Sequence, residues 1–455
     1  MSSALWAQTE GGMLSIDGRK FLHQLYHPQE EQKAGDLKAS EYIYLTAYRY
    51  FIEFISFEQD SSAAHFMDTF DRFSEFPSAQ NNQITQLMLV NLSIQKGLIQ
   101  WMKNEQFAGV FSFINGHRLL MDDYTNPSLL QEVRKLRSLF LILIDQLPDY
   151  MMSGASLFGL EGDRIEGFSL LQEYVEYCED KEGVYTEALV LYGYCLMKFS
   201  NGDKYQMDQF IQKARQNESP LLTFVSASVA IKKRDGETAR GLLDELQPET
   251  FECFPLLYHL KGKAVLNTLS NECEWWLSKF VHLYPGMSFK ADAHLRLARY
   301  YRIIHDSVSV KREENAIRAM DVYPTSNDKQ ASQEAFMVAH KPESLIKARL
   351  LFDDGQIKEC IVLLKTIDQP LLADFYRAEW HYRLARALEE ENRYKEAVSH
   401  YEQVLPIARE DDRYIGPYSA LNAAEIYLKI FSDSTSCKKM LQKAKEFNTG
   451  QYKSD

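Results

Sequence analysis

The chain has 455 residues, with 51 Lys and Arg against 64 Asp and Glu, a formal net charge of −13. Nucleic-acid affinity rests on clustered cations that release counterions, so this balance is read as excluding nucleic acid as a partner. No run approaches the roughly 18–20 apolar residues of a membrane span; the longest, 139–144, is closed by Asp145, and 21 Gly with 13 Pro are few breakers for a chain that is 45% hydrophobic.

Residues 1–37 read as an N-terminal arm, because Pro28 and the polar stretch to Asp36 interrupt any long period. Ala7 before Gln8 resembles the end of a secretory signal peptide without its basic and apolar parts, which makes 1–7 a candidate signal remnant. The alternative is an ordinary cytoplasmic N-terminus. His23 and His27 stand four apart, the spacing of two metal ligands on a helix. No Glu follows His23, Pro28 stops the helix and no third ligand can be named, so no metal is expected. From 38 to 150 the pattern is helical, with Leu45, Tyr48, Phe51, Ile52, Phe54 and Ile55 recurring at three and four residues. Gly97 and Gly109, twelve apart, mark one degenerate helix pair.

A ladder of small residues begins in the next segment, 151–304. Ala155, Gly193, Ala227, Gly262, Ala298, Ala348, Ala385 and Ala424 are separated by 38, 34, 35, 36, 50, 37 and 39 residues. In the sharpest copies a bulky apolar residue follows three later and a second small residue twelve later, as in Ala348, Leu351 and Cys360. Two antiparallel helices cross closely only where side chains are small, and apolar residues three or four away fill the groove. Each hairpin leaves an apolar face that the next must cover, so stacking is obligatory. The polar, punctuated segment 305–341 accounts for the 50-residue step, as an insertion or a hinge. Repeats resume over 342–447, and 448–455 is a polar tail.

At Leu384, Ala385, Leu388, Tyr394, Ala397 and Tyr401 the sequence resembles the tetratricopeptide repeat (TPR) family, although His381 stands where the family has its Trp. The segments around Leu147, 157–163, 328–335 and 346–355 resemble long uncharacterised TPR proteins of Gram-negative envelopes, and distantly the inclusion-body-clearance TPR family. The resemblance implies an all-α, right-handed superhelical solenoid of antiparallel helix pairs with an N-terminal helical extension. It also implies a periplasmic or exported location, with the cytoplasm as the alternative.

In that family the first helix of each pair lines the concave face. Residues one and four after the ladder residue, and three before it, then point inward. In the last three repeats the rule selects Leu345, Arg349 and Phe352, then Tyr382, Arg386 and Glu389, then Leu421, Glu425 and Leu428. Arg349, Tyr382 and Arg386 would offer guanidinium and aromatic contacts to an extended peptide. The expected function is a non-enzymatic scaffold binding a protein or peptide, without a cofactor. The alternative is a module for a glycan, lipid or other small molecule in an aromatic-lined pocket. A hydrolase with a site at the 305–341 break is a weaker third reading. Glu272, Cys273, Trp275 and Trp276 crowd reactive types together, but Cys273 sits at a small ladder position and reads as core.

Overall fold

The computed structural model describes residues 13–27, 38–76, 82–120, 124, 127–156, 158–181, 183–200, 203–217, 219–409, 411 and 413–447. The candidate signal remnant at 1–7, the tail 448–455 and the side chain of Ala155 lie outside the described residues. Every regular element among the described residues is a helix, as the spacing of small and apolar residues requires. None of these helices is long and apolar enough to cross a membrane. The chain divides into two compact units, Met1–Lys233 with Thr238–Leu260 and Lys279–Phe289, and Arg234–Glu237 with Lys261–Ser278 and Lys290–Asp455.

The first unit opens with α1 (Ile16–Tyr26), α2 (Ala39–Phe57), α3 (Asp60–Ser74), α4 (Gln83–Met102), α5 (Gln106–Leu120), α6 (Pro127–Asp145) and α7 (Asp149–Ser156). It continues through α8 (Arg164–Cys178), α9 (Val184–Phe199), α10 (Lys204–Ala214), α11 (Pro220–Lys233), α12 (Gly236–Asp244) from Thr238 onward, and α13 (Pro248–Cys253). The stretch read as an arm thus holds a packed helix. Ser15 caps α1 by accepting from the Gly18 N–H at 3.0 Å, and Phe21, Leu22, Leu25 and Tyr26 are buried along one stripe. The hairpin of α4 and α5 is close because it crosses at glycine: a Cβ on Gly109 would stand 2.9 Å from the Gly97 carbonyl oxygen. Gly193 in α9 is equally confined, with its absent Cβ 2.1 Å from Phe210 and 2.6 Å from Val225.

A buried ionic cluster ties α1, α2, α6, α8 and α9 together. The Lys135 ammonium lies 2.7 Å from Glu132 and 3.2 Å from Glu187. Tyr48 donates to Glu187 at 2.8 Å and Tyr174 to Glu132 at 3.0 Å, while the Tyr26 and Tyr48 hydroxyls share a 2.9 Å hydrogen bond. Burial alone would lower the Lys135 amine, but Glu132 and Glu187 outweigh it and raise it above the ordinary lysine value.

The second unit takes the C-terminal part of α14 (Leu256–Asn267) and the N-terminal part of α15 (Cys273–Leu283). It continues with α16 (Lys290–Ile303), α17 (Ser307–Arg318), α18 (Ser326–Glu334), α19 (Glu343–Asp354), α20 (Ile357–Lys365), α21 (Asp374–Glu390), α22 (Tyr394–Ile407), α23 (Ile415–Lys429) and α24 (Ser434–Glu446). Consecutive helices pair as hairpins: α16 with α17, α19 with α20, α21 with α22, α23 with α24. Ala298, Ala348 and Ala385 are fully buried, and the Cys360 thiol donates to the Ala348 carbonyl across the α19–α20 crossing at 3.2 Å. The polar segment 305–341 contains two capped helices. Asp306 accepts from the Ser309 N–H ahead of α17, and Thr325 with Asp328 forms a reciprocal capping box on α18. Gly355 ends α19 at φ 88°, where a Cβ would meet the Arg234 carbonyl at 2.1 Å.

Candidate functional site

Lys263, Arg299, Arg349 and Arg386 each follow a buried small residue: Gly262, Ala298, Ala348 and Ala385. A residue one step on is turned about 100° from the crossing, so the ladder places four cations on the equivalent face of α14, α16, α19 and α21. Two of these helices carry a second cation three residues earlier, Arg296 and Arg383, on the same face. Each of the two is neutralised from one turn back: Asp292 accepts from Arg296 at 2.6 and 3.1 Å, and Glu379 accepts from the Arg383 Nε at 2.8 Å. The pattern carboxylate, four on Arg, three on Arg therefore occurs twice in the sequence. It was the available signal for Arg296 and Arg299, which the reading of the last three repeats alone missed.

The remaining carboxylates are shared. Glu334, at the end of α18, accepts from Arg299 at 2.7 Å and from Arg349 at 3.0 Å through both oxygens. Glu379 also receives Lys341 at 2.7 Å and Arg413 at 3.0 Å. Burial would raise both carboxyls, but Arg349 and Arg299 hold Glu334 well below the usual carboxylate range, and Arg383, Lys341 and Arg413 do the same for Glu379. The cations divide: Arg349 and Arg383 are raised, because Glu334 and Glu379 outweigh their burial, while others are lowered. Lys341 falls to about 8 because burial and Arg383 outweigh its share of Glu379. Arg299 falls to about 10 through burial and the neighbouring Arg349. Side chains of Arg349, Arg383 and Lys341 keep 17%, 11% and 12% of their surface accessible. Water reaches part of each side chain.

The residues selected by the last repeats occupy different situations. Arg349 is engaged by Glu334, with Asp353 at 3.8 Å. Phe352 is buried, with the Arg234 and Arg386 guanidiniums 4.4 and 4.6 Å from its ring centroid. Tyr382 is buried 5.8 Å from Tyr414 and 6.2 Å from Tyr401. Glu389 accepts from the Tyr401 hydroxyl at 2.6 Å, and burial raises its carboxyl. Leu345 is fully buried. Glu425 is exposed and paired with Lys429, so the sign of the row reverses on α23. Of the other ladder positions, Ala227 is fully buried and Ala424 nearly so, and a Cβ on Gly262 would meet Leu277 at 2.6 Å.

The two other constellations are absorbed by packing. His27 uses both ring nitrogens, one on the His23 carbonyl at 2.8 Å and one on Asn217 at 3.2 Å. Cys273 is fully buried and its thiol is pushed up to about 12 by burial, while Trp275 is half exposed. Among the described residues no three His, Cys, Asp or Glu side chains are grouped to hold a metal ion. A recess of about 220 Å³ in the first unit is lined by Leu130, Val133, Arg134, Arg137, Glu166 and Leu170, none of them aromatic.

No family model matches the sequence. No curated protein matches it. Among solved structures the chain is similar to a human IFIT1 dimer with m7Gppp-AAAA, at 11% identity and a TM-score of 0.29, over 97% of this chain and 98% of that one. That structure holds a nucleic-acid ligand, and the expectation that nucleic acid is excluded as a partner is corrected on this finding. The physical error is that net charge sums over the whole surface. A −13 chain can still concentrate cations locally, as α14, α16, α19 and α21 do.

Proposed function

We propose that the chain is a non-enzymatic, TPR-type scaffold whose stacked hairpins bind an extended acidic segment of a protein partner along Lys263, Arg299, Arg349 and Arg386. The observation that carries this reading is that row. Four helices, α14, α16, α19 and α21, present a cation at one register, and the carboxylates around it are divided among several cations. An acidic side chain reaching this row gains charge-assisted hydrogen bonds from guanidiniums already desolvated and oriented. Interleaved Glu334, Glu379 and Asp353 favour a partner whose carboxylates are spaced along the row. A periplasmic location belongs to the same proposal, on the envelope-protein resemblance.

Hydrogen exchange of the full chain with a ten-residue glutamate peptide tests the site. Slowed exchange in α16, α19 and α21 is the expected result. Protection confined to the first unit, or none at a peptide concentration that saturates, would refute it.

A further inference from the structure

The recess of the first unit lies where α6 and α8 pack together. The two helices approach closely at Gly167, where a Cβ would stand 2.7 Å from Ile142 and 3.0 Å from the Ser138 carbonyl oxygen. Leu130, Val133, Arg134 and Arg137 share one face of α6 at spacings of three and four, as Glu166 and Leu170 do on α8. These six side chains line about 220 Å³. Leu130 is exposed and Val133 and Leu170 are half-buried, so three aliphatic side chains meet water there. The guanidiniums beside them are loosely engaged. Arg137 donates to Glu166 at 3.2 Å and makes no other hydrogen bond among the described residues. Arg134 only approaches Glu173, at 3.7 Å, beyond hydrogen-bonding distance. Both pairs are exposed, and exposed pairs contribute little, so a competing anion displaces them at small cost.

We propose that this recess binds a medium-chain aliphatic carboxylate, its tail on Leu130, Val133 and Leu170 and its head on Arg134 and Arg137. The lining sets two guanidiniums against one carboxylate, Glu166, which Arg137 already holds. An anionic head is therefore favoured over a neutral or cationic one. The planar guanidinium fork matches a carboxylate, and both arginines are exposed enough for the head to keep contact with water. The aliphatic floor supplies the remaining driving force, because a saturated tail covers surface that is otherwise wet. Volume sets the length of the tail. A dry cavity of about 150 Å³ holds benzene, with six heavy atoms. In proportion, the recess takes about nine, which is close to octanoate. The site lies within the first unit and shares no residue with the cation row of the second, so the two readings stand or fall separately.

The test is calorimetric titration of the full chain with straight-chain carboxylates from butanoate to dodecanoate, with octanol as the neutral control. Hydrogen exchange with octanoate locates the site. Affinity should rise about fourfold for each added methylene, then level off at about eight or nine carbons, once the recess is filled. Octanoate should bind at least about tenfold more tightly than octanol, through charge-assisted hydrogen bonds. It should also slow exchange in α6 and α8. Arg134→Gln with Arg137→Gln, both at exposed positions, should bring octanoate to the octanol level without altering the circular dichroism. Leu170→Phe, which fills part of the recess, should move the plateau to shorter chains. No saturable octanoate binding, equal affinity for octanol, or protection outside α6 and α8 would overturn the proposal. So would an affinity that climbs steadily through dodecanoate, because adsorption to open apolar surface has no such limit.

Discussion

The Arg386 guanidinium lies 4.6 Å from the centroid of the Phe352 ring, so two side chains expected to meet a ligand meet each other. Arg234 lies 4.4 Å from the same centroid. The ring is a platform shared by both cations, and Arg234 is also ion-paired with Glu390. Phe352→Ala should lower the unfolding free energy by about 3–5 kcal/mol, the range for a buried Phe, read by urea denaturation. An effect within about 0.5 kcal/mol of wild type would mean that the ring is not packed as described.

Two glycines in helices of the first unit should respond in opposite directions to alanine. At Gly193 the new Cβ meets Phe210 at 2.1 Å and Val225 at 2.6 Å. Overpacking of about 1–3 kcal/mol then outweighs the gain in helix propensity of up to about 1 kcal/mol. At Gly241 no atom lies within 4 Å of the added carbon, so propensity acts alone and Gly241→Ala should raise the melting temperature. Equal shifts in the two variants would contradict the crossing at Gly193.

The Lys135 ammonium bridges Glu132 and Glu187. Lys135→Met leaves both carboxylates buried without their cation and should cost about 3–5 kcal/mol. Replacing all three by apolar residues should recover part of that loss, because desolvation of the ions disappears with them. Denaturant midpoints of the single and triple variants check the order.

Acidification should destabilise the second unit. Glu334 and Glu379 are held below the carboxylate range by their guanidinium and ammonium neighbours. In the unfolded chain they take up protons near the ordinary value of 4.5. The unfolded state therefore binds more protons as pH falls, and stability present above about pH 5 is lost below it. His381 adds to the loss. Burial and His400 bring it from 6.5 to about 4, so its contribution fades as pH drops through that window. Thermal melts between about pH 7 and 4 should show a falling midpoint. His381→Gln should flatten the upper part of the curve without moving the lower part.

The helical class was legible because a close helix crossing excludes side chains, and that exclusion leaves a one-dimensional trace at Ala227, Ala298, Ala348 and Ala385. The helix at Ile16–Tyr26 was obscured by the polar stretch after Pro28, although Ser15 and the Phe21–Leu25 stripe mark it. The cation row was half legible. Arg349 and Arg386 follow from the sharp last repeats, while Lys263 and Arg299 hold the same register at degenerate steps. What sequence spacing did not carry is the counter-charge: Glu334 reaches the row from the end of a helix in the irregular segment, outside any repeat. Nor did spacing show that Phe352 and Tyr382 are buried, because a hairpin's inward face is covered by its neighbours as well as by solvent.

The most direct measurement is fluorescence anisotropy of a labelled decaglutamate peptide titrated with the full chain, alongside decaglutamine and a ten-nucleotide oligoadenylate. The variant is Lys263→Gln with Arg386→Gln, which removes two cations without breaking an ion pair among the described residues. The account predicts saturable binding of decaglutamate but not of decaglutamine, weakened at least about tenfold in the variant and reduced by salt. Tighter binding of the oligonucleotide, or decaglutamate affinity unchanged in the variant, would contradict it.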